Sequence, residues 1–500
     1  MKLNNIFHPA TVSRFHRAGF SALLNKIVLT TRILLLGGIP VPQLLANDFS
    51  ASPQVLVAIH PDQPGAEIPA DFLGLSYEKS TLAETHFRPD NAELINLFRN
   101  LGPGVLRFGG NHVELTDWQR NDSPGQKKSD KKAKLCLGPV ALDNLYAFAK
   151  QIGWRIIHGL NLAGNNPNMA ADEAAYALKI GGPTVLAFEV GNEPDYYIRH
   201  NLRPAGYGYS EYRGEAAAEQ NAILAVAPNA PLAGPATTKM SDWFASFVAD
   251  FKGRIVLATS HFYSLSAKAL DPHSATFPTV ENLLSNSTKK TWRSVIGERQ
   301  NVASAAGISF RLGECNTASN GGKDGVSDVF ASALWGADFL FDAAELGVAG
   351  INFHSGFGEH GYTPFSFHGQ HYHPHPLYYS MLLFHQVAAG RVVPVDCQTS
   401  ANVTVHAVLG DDGKLRVVLI NKDLAQPVAV SIVPGSTRST AEVIRLTAPS
   451  VNARDGVTLA GSAVSEDGAW TPKTSEPVSP VNGSFEVRLP EGSAALVTFE

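Results

Sequence analysis

Two glutamates end apolar segments of this 500-residue chain, at positions where parallel strands would bring them to one cleft. Residues 185–188 are apolar and are soon followed by Asn192 and Glu193, and the stretch "ISFRLGE" ends in Glu314. Two facing carboxylates suit the cleavage of a glycosidic bond, because one can protonate the leaving oxygen while the other attacks or shields the anomeric carbon. Mutual repulsion and partial burial separate their pKa values and create the two roles. An ion pair at a barrel rim explains either glutamate alone equally well, but the pair favours catalysis.

These glutamates need a scaffold, and the alternation of short apolar runs with helical stretches over residues 67–385 predicts one. Eight runs read as strands, and most end in polar or glycine-rich residues: "FLGLSYE", "VLRFGG", "WRIIHGLNL", "TVLAFEVGNE", "APLAGPAT", "RIVLATSHFY", "ISFRLGE" and "VAGINFHSG". Helices are predicted between them, including one that begins at residue 90 and one with Ser327 as its N-cap. This pattern predicts a (β/α)₈ barrel, whose active site lies at the C-terminal ends of its strands. An open doubly wound sheet is the alternative, but no glycine fingerprint follows the first strand.

The pattern of apolar and polar residues changes after residue 385. Six alternating strands separated by Gly, Pro and Asp predict an antiparallel β-sandwich over residues 386–500. The strand-like "QVLVAIHPD" precedes the barrel, and we expect residues 52–66 to join that sandwich.

Several motifs together resemble glycoside hydrolase family 79, the heparanase-like β-glucuronidases among the retaining glycosidases of clan A. The stretches that carry the resemblance are "FLGLSYE", "LRFGGN", "FEVGNEPD", "HFYSL", "FRLGECN", "NGGKDGVSDVFASALW" and "GYTPF", from about residue 72 to 365. The order and spacing of these stretches together are more specific for the family than any single stretch is. The trailing sandwich is also similar to that of the family.

The resemblance implies a role for each matching residue. Glu193 would be the acid/base, Glu314 the nucleophile, and Asn192 a hydrogen-bond partner of the sugar 2-hydroxyl. The other implied contacts are Tyr263 beside the nucleophile, Glu78 and Asn111 at sugar hydroxyls, and Gly321, Gly322 and Tyr362 at the uronate carboxylate. A glycine pair suits an anion, since no side chain keeps its backbone N–H groups at a distance.

The resemblance thus implies an exo-acting retaining β-glucuronidase that needs neither metal nor organic cofactor. The alternatives within enzymes are another retaining β-glycosidase, acting on a xyloside or glucoside, and endo-cleavage of an acidic glycan. A carbohydrate-binding protein without catalysis is the alternative from another class. Residues 317–320 differ from bacterial relatives, which often carry a tyrosine there, and Lys323 is either a replacement contact for the carboxylate or a surface lysine.

Composition excludes other functions. A net charge of −5 gives no electrostatic basis for nucleic-acid binding. The three cysteines, Cys136, Cys315 and Cys397, cannot form a disulfide framework.

Six histidines after the eighth strand (residues 354, 360, 368, 371, 373 and 375) are interpreted as loop residues lining a subsite, with a metal clip in "HYHPHP" as the alternative. The basic stretch "QKKSDKKAKL" is interpreted as a solvated loop.

The first 46 residues predict export. Residues 1–32 contain basic residues and no acid, and "ILLLGGIPVPQLLA" follows. That segment is too short and too often interrupted for a stable membrane span, but it fits a secretory signal cleaved near Ala46. We therefore expect a secreted or periplasmic protein, with a disordered leader as the alternative.

Overall fold

The computed structural model describes residues 53–120, 135–238 and 242–500. The predicted leader (residues 1–46) and most of the basic stretch "QKKSDKKAKL" lie outside this part of the chain. Two strands come first, β1 (Gln54–Ile59) and β2 (Glu67–Ile68). Ten more strands follow up to residue 355: β3 (Gly74–Glu78), β4 (Val105–Gly109), β5 (Thr116–Trp118), β6 (Leu135–Leu137), β7 (Arg155–Leu160), β8 (Val185–Val190), β9 (Leu232–Thr237), β10 (Ile255–Ser266), β11 (Ser309–Ser319) and β12 (Gly350–Ser355).

Eight of these strands form a closed parallel barrel, in the order β10-β11-β12-β3-β4-β7-β8-β9. They are the eight runs predicted from the sequence, so the barrel is confirmed and the open sheet is wrong. The short strands β5 and β6 form a separate two-stranded sheet. One interior layer of the barrel contains small and branched side chains from five strands, namely Val105, Ile157, Ala187, Ala233 and Leu257. The interior of the barrel is therefore filled by side chains at this level.

Nine helices occur in the described residues: α1 (Ala92–Arg99), α2 (Pro139–Ile152), α3 (Pro167–Gly181), α4 (Tyr209–Val226), α5 (Trp243–Phe251), α6 (Val280–Leu283), α7 (Asn286–Ala305), α8 (Ala331–Glu345) and α9 (Pro376–His385). Local sequence sets several ends. The Asn91 side chain accepts the Leu94 N–H at the start of α1, and Gly153 ends α2 in the left-handed conformation. None of the described helices combines the length and apolar character needed to cross a bilayer.

The prediction that Ser327 is an N-cap is wrong, because α8 begins only after Phe330. The Ser327 hydroxyl instead accepts the Lys323 N–H at 2.9 Å and the Thr317 hydroxyl at 2.8 Å. These bonds close the loop after β11, and a side chain used there is not available to cap a helix.

The remaining strands are β13 (Phe365–His368), β14 (His371–Pro374), β15 (Gly390–Val393), β16 (Val395–Gln398), β17 (Val403–Gly410), β18 (Leu415–Asn421), β19 (Val428–Val433), β20 (Ala441–Thr447), β21 (Thr458–Leu459), β22 (Glu476–Val478), β23 (Phe485–Leu489) and β24 (Ser493–Phe499). β13 and β14 form a hairpin. The others, together with β1 and β2, form two sheets, one ordered β16-β1-β19-β23 and one ordered β2-β15-β17-β18-β24-β20-β21, with β22 also paired to β20. β1 pairs antiparallel with β16 and parallel with β19.

Alternating residues of the larger sheet divide between two cores. On β18, Val417 and Leu419 pack toward the smaller sheet, whereas Val418 and Ile420 pack with the barrel helices. This alternation follows from the two-residue period of a strand. The sheet thus packs its opposite face directly on the barrel.

Helix α8 lies in the resulting interface and is buried on all sides. Its Asp338 carboxylate accepts Lys422 Nζ from the sandwich at 2.7 Å and Lys289 Nζ from α7 at 2.5 Å. His406 Nε2 lies 2.9 Å from Asp338 Oδ1. Buried charges are tolerated when each is paired and hydrogen-bonded, as here.

Candidate active site

A cavity of about 950 Å³ opens at the C-terminal ends of the barrel strands. It is lined by most of the residues that the sequence singled out, namely Glu78, Asn111, Glu193, Tyr263, Glu314, Gly321 and Tyr362. Asn192 lies behind this lining with 2% of its surface exposed, and Gly322 is the other predicted residue outside the lining. The strands therefore bring the predicted set to one place.

Glu193 follows β8 and has a left-handed backbone with φ of 47°. Its N–H donates to the Ala236 carbonyl at 3.0 Å, which ties this uncommon conformation to the neighbouring strand β9. The side chain has Oε1 2.9 Å from Nδ1 of His261. One oxygen of Glu193, one oxygen of Glu314 and a nitrogen of His261 all lie within 4.8 Å of one another.

Glu314 lies on β11 and is 7% exposed. The Tyr263 hydroxyl donates to Oε1 at 2.7 Å, and Arg107 Nη1 donates to Oε2 at 3.0 Å. Burial alone would raise the pKa of the Glu314 carboxyl. The imidazoles of His354 and His261 and the Arg107 guanidinium act in the opposite direction and hold that pKa well below its usual range. Glu314 is therefore ionised at neutral pH.

Arg107 is fully buried under the cavity and connects several of these groups. Its Nε donates to Glu189 at 2.6 Å, and its Nη2 donates to Asn192 Oδ1 at 2.9 Å. Glu189 also accepts the Thr259 hydroxyl at 2.6 Å. Glu189 is thus a supporting residue, since it holds the guanidinium that orients the Asn192 amide.

Asp195, the other acid near Glu193, has a similar supporting position. The Thr238 hydroxyl donates to its carboxylate at 2.6 Å. This bond joins the loop after β8 to the end of β9. Asp195 does not line the cavity.

Glu114 positions the backbone of the Asn192 segment. It accepts the Asn192 N–H at 2.8 Å, the Ala163 N–H at 2.7 Å and the Tyr197 hydroxyl. Asn192 Nδ2 in turn lies 3.4 Å from Asn111 Oδ1. Glu114 was not predicted from the sequence, although it lies only three residues after the quoted stretch "LRFGGN".

His354 lies between two carboxylates at the end of β12. Its Nδ1 is 3.6 Å from Glu314 Oε2, and its Nε2 is 3.8 Å from Glu78 Oε1. Burial lowers the pKa of His354, but the two carboxylates outweigh burial and raise it. Glu78 also accepts the His112 N–H at 2.7 Å. Arg107 and His261 lie within strand stretches quoted from the sequence but were not predicted to belong to the site, whereas His354 was expected to line a subsite and does line the cavity.

The loop after β11 brings Gly321 to the cavity and Gly322 against the Tyr362 backbone. Their φ angles are 88° and 89°, in the region that favours glycine. A Cβ atom on Gly322 would stand 2.8 Å from the Tyr362 nitrogen, so the two backbones approach too closely for another residue. The Tyr362 ring lies 6.0 Å from that of Tyr263 between centroids. Lys323 is exposed and does not line the cavity.

The histidine-rich stretch divides between two places. His354 and His360 line the cavity, whereas His368 and His373 stack with 3.7 Å between ring centroids on the β13–β14 hairpin. In the described residues, three groups have potential metal-ligating atoms within 4.8 Å: Glu193–His261–Glu314, Asp324–Asp328–His360 and Asp338–Asp342–His406. None includes a histidine of "HYHPHP", so the metal-clip alternative has no support in these positions. The three cysteines are unpaired.

Parts of the chain are similar to known proteins. Residues 405–496 match the model described as the glycosyl hydrolase family 79 C-terminal beta domain. A β-glucuronidase of Aspergillus niger is 26% identical over 245 residues, covering 44% of each chain. A β-glucuronidase of Neurospora crassa is 26% identical over 305 residues, covering 52% of each chain. The chain thus spans about half the length of the curated relatives it matches.

Solved structures share the fold. A 4-O-α-L-rhamnosyl-β-D-glucuronidase from Fusarium oxysporum superposes with a TM-score of 0.75 at 20% identity, covering 89% of this chain and all of that one. A family 51 arabinofuranosidase from Xanthomonas axonopodis gives a TM-score of 0.66 at 15% identity, with 90% and 100% coverage. The protein therefore has the barrel-plus-sandwich fold seen in glycosidases. More narrowly, the predicted resemblance to glycoside hydrolase family 79 is confirmed.

Proposed function

We propose that this protein is a retaining β-glucuronidase that releases terminal β-linked glucuronic acid. The observation that carries the proposal is the pair Glu193 and Glu314, which line one cavity and have oxygens within 4.8 Å of each other. Retaining enzymes have carboxyl groups about 5–5.5 Å apart, whereas inverting enzymes leave about 6.5–9.5 Å for a water molecule. The short separation favours direct attack by one carboxylate.

The surroundings of the two glutamates support different roles. Arg107 and Tyr263 donate to the Glu314 carboxylate, which keeps it ionised and fixes its orientation. Glu193 has no such cation on its oxygens in the described residues, and its contact is the His261 imidazole. Glu314 therefore suits the nucleophile, and Glu193 suits the group that exchanges a proton.

The reaction then proceeds in two displacements. In the first, Glu314 attacks the anomeric carbon while Glu193 donates its proton to the departing glycosidic oxygen. A covalent glycosyl–Glu314 ester forms, and the alcohol leaves. In the second, ionised Glu193 takes a proton from water, whose oxygen attacks the same carbon and releases Glu314 as a carboxylate. Asn192, held by Arg107, would donate from its amide to the sugar 2-hydroxyl.

Specificity for a uronate rests on the loop that contains Gly321 and Gly322. Gly321 lines the cavity and has open space where a side chain would stand, and Tyr362 lines the same cavity. The names of the matched curated relatives, both β-glucuronidases, support the same sugar.

A second candidate is internal cleavage of an acidic glycan. Three exposed basic side chains, Arg199, His200 and Lys268, line the cavity. Within the described residues none of them has a carboxylate partner at ion-pair distance. They would attract anionic sugars beyond the cleavage point.

The test compares p-nitrophenyl β-D-glucuronide with the β-glucoside and the β-xyloside. We expect wild-type enzyme to prefer the glucuronide and Glu314→Gln to lose at least about 10³-fold in kcat, because the substitution removes the nucleophile. Glu281→Gln, an exposed barrel glutamate, is the matched control and retains wild-type rates. Azide further distinguishes the acid/base from the nucleophile, because azide attacks the glycosyl-enzyme without a general base. Added azide should therefore restore the turnover of Glu193→Ala and form the β-glycosyl azide.

Preference for a neutral glycoside would refute the uronate assignment and leave the glutamate pair intact. Normal turnover by Glu314→Gln would refute the mechanism. Inactivity on all three aryl glycosides, with cleavage of a polymeric acidic glycan, would favour the second candidate.

A further inference from the structure

A second cavity, of about 490 Å³, lies on the sandwich and shares no lining residue with the catalytic cavity. Its floor is formed by three neighbouring strands, on which Thr498 of β24 is opposite both Arg416 of β18 and Glu442 of β20. One wall is the segment 470–475, which is fixed because the N–H groups of Lys473 and Thr474 both donate to the Ala460 carbonyl at 2.9 Å. The cavity is therefore built on ordered backbone.

Trp470 supplies an aromatic wall. Its indole N–H donates to the Ser462 carbonyl at 3.3 Å, and its ring packs against the core while remaining half-buried. The indole N–H is thus already hydrogen-bonded, and this bond fixes the ring at the edge of the cavity. A fixed aromatic ring suits a ligand with an apolar face and polar edges, and a sugar ring is one, with C–H groups on its faces and hydroxyls around its rim.

The charges around the cavity are balanced. The lining contains three cations and three carboxylates, namely Lys414, Arg416, Lys473, Asp412, Glu442 and Glu500. Two pairs neutralise each other, because Arg416 donates to both oxygens of Asp412 at 2.9 and 2.6 Å and Lys414 lies 2.6 Å from Glu500. A lining without net charge favours neither a polyanion nor a cation.

Two polar groups are left for a ligand. In the part of the chain that the structure describes, neither Glu442 nor Lys473 has an ion-pair partner, and both line the cavity. A carboxylate accepts hydrogen bonds from vicinal hydroxyls, and an ammonium donates to them. The volume is within the range of about 300–1,000 Å³ that small-molecule sites occupy.

We propose that this sandwich cavity binds a segment of a neutral oligosaccharide chain, which packs on Trp470 and hydrogen-bonds to Glu442 and Lys473. Binding here requires no bond cleavage and goes beyond the proposed reaction. Binding attaches the enzyme to the polymer that carries its substrate. It therefore increases the rate of turnover of polymeric substrates and leaves the turnover of small aryl glycosides unchanged.

The test titrates the full-length protein with xylohexaose, cellohexaose and β-1,4-galactohexaose by calorimetry. We expect at least one of them to bind wild-type protein, and Trp470→Ala to weaken that binding at least 10-fold. Trp470→Phe, which keeps an aromatic ring, should weaken binding less than Trp470→Ala does. Glu442→Gln should also weaken it, whereas its matched control Glu486→Gln, an exposed strand glutamate of the smaller sheet, should not.

The inference is overturned if none of the three oligosaccharides binds at 10 mM. It is also overturned if one binds equally well to wild type, Trp470→Ala and Glu442→Gln, because the ligand then lies elsewhere, for example in the catalytic cavity. If Trp470→Ala does not fold, the comparison of Trp470→Phe, Glu442→Gln and Glu486→Gln decides. Turnover of p-nitrophenyl β-D-glucuronide, expected to be unchanged in the Trp470 and Glu442 variants, tests the proposed function separately.

Discussion

Removal of one hydroxyl group tests the proposed role of Glu314 as the nucleophile. Tyr263 donates to Glu314 Oε1 at 2.7 Å, and its ring packs 6.0 Å from Tyr362 between centroids. Tyr263→Phe deletes the donor and retains the ring. A hydrogen bond to a charged group contributes about 1.5–3 kcal/mol, so a carboxylate that has lost it is less stable in its ionised form by a similar amount.

We expect kcat/KM for p-nitrophenyl β-D-glucuronide to fall about 10- to 100-fold, since each 1.4 kcal/mol corresponds to a factor of 10. The acid limb of the pH–rate profile should also move to higher pH. The hydrogen bond favours the ionised form of Glu314 and lowers its pKa, so its removal raises the pKa at which the nucleophile becomes protonated.

The assay is the pH dependence of kcat/KM for wild type, Tyr263→Phe and Tyr209→Phe. The last variant is the matched control, because the Tyr209 hydroxyl also donates to a carboxylate, Asp250, at 2.8 Å but lies outside the cavity. A Tyr263→Phe enzyme with less than a twofold loss and an unmoved acid limb would refute the role given to Tyr263.

Two further predictions concern the loop and the domain interface. Gly322→Ala should raise KM for the glucuronide about 10-fold and leave KM for neutral glycosides nearly unchanged. The reason is that the new Cβ would stand 2.8 Å from the Tyr362 nitrogen, on a residue whose φ is 89°. Equal effects on both substrates in steady-state kinetics would argue against a uronate contact there. For His406, burial lowers the pKa but Glu345 and Asp338 outweigh it and raise it from 6.5 to about 9. A raised pKa stabilises the fold fully below pH 6.5, and that stability, about 3 kcal/mol, is lost as the pH rises through 9. Urea unfolding between pH 6 and 9.5 should show this loss in wild type and a flatter profile in His406→Gln, and equal slopes would contradict the assignment.

The barrel could be predicted because its parallel strands are buried on both faces and therefore read as short apolar runs. The sequence does not show where α8 begins. Ser327 has the chemistry of an N-cap, but its hydroxyl accepts the N–H of Lys323, four residues earlier, and so closes a loop. The short strands β5 and β6 were missed because three residues carry too little periodicity to recognise.

The glutamate pair could be predicted because both residues follow apolar runs, and the C-terminal parts of parallel strands meet on one face of a barrel. The roles of Arg107, His261 and His354 could not, although each lies on a barrel strand. Their partners are set by barrel closure, which places β10 and β12 beside β11 and places β3 and β4 next in order after β12. Only this neighbourhood shows that Arg107 connects Glu314 with Asn192.

The central claim is that Glu314 forms a covalent bond to the sugar. The most direct measurement treats the enzyme with 2-deoxy-2-fluoro-β-D-glucuronosyl fluoride and maps the labelled peptide by mass spectrometry. The 2-fluoro group slows both displacements by destabilising the oxocarbenium-like transition state, and the fluoride leaving group lets the first one proceed, so the ester accumulates. The account predicts one fluoroglucuronosyl group on Glu314 and none in Glu314→Gln, and a label on Glu193 or on another residue would contradict it.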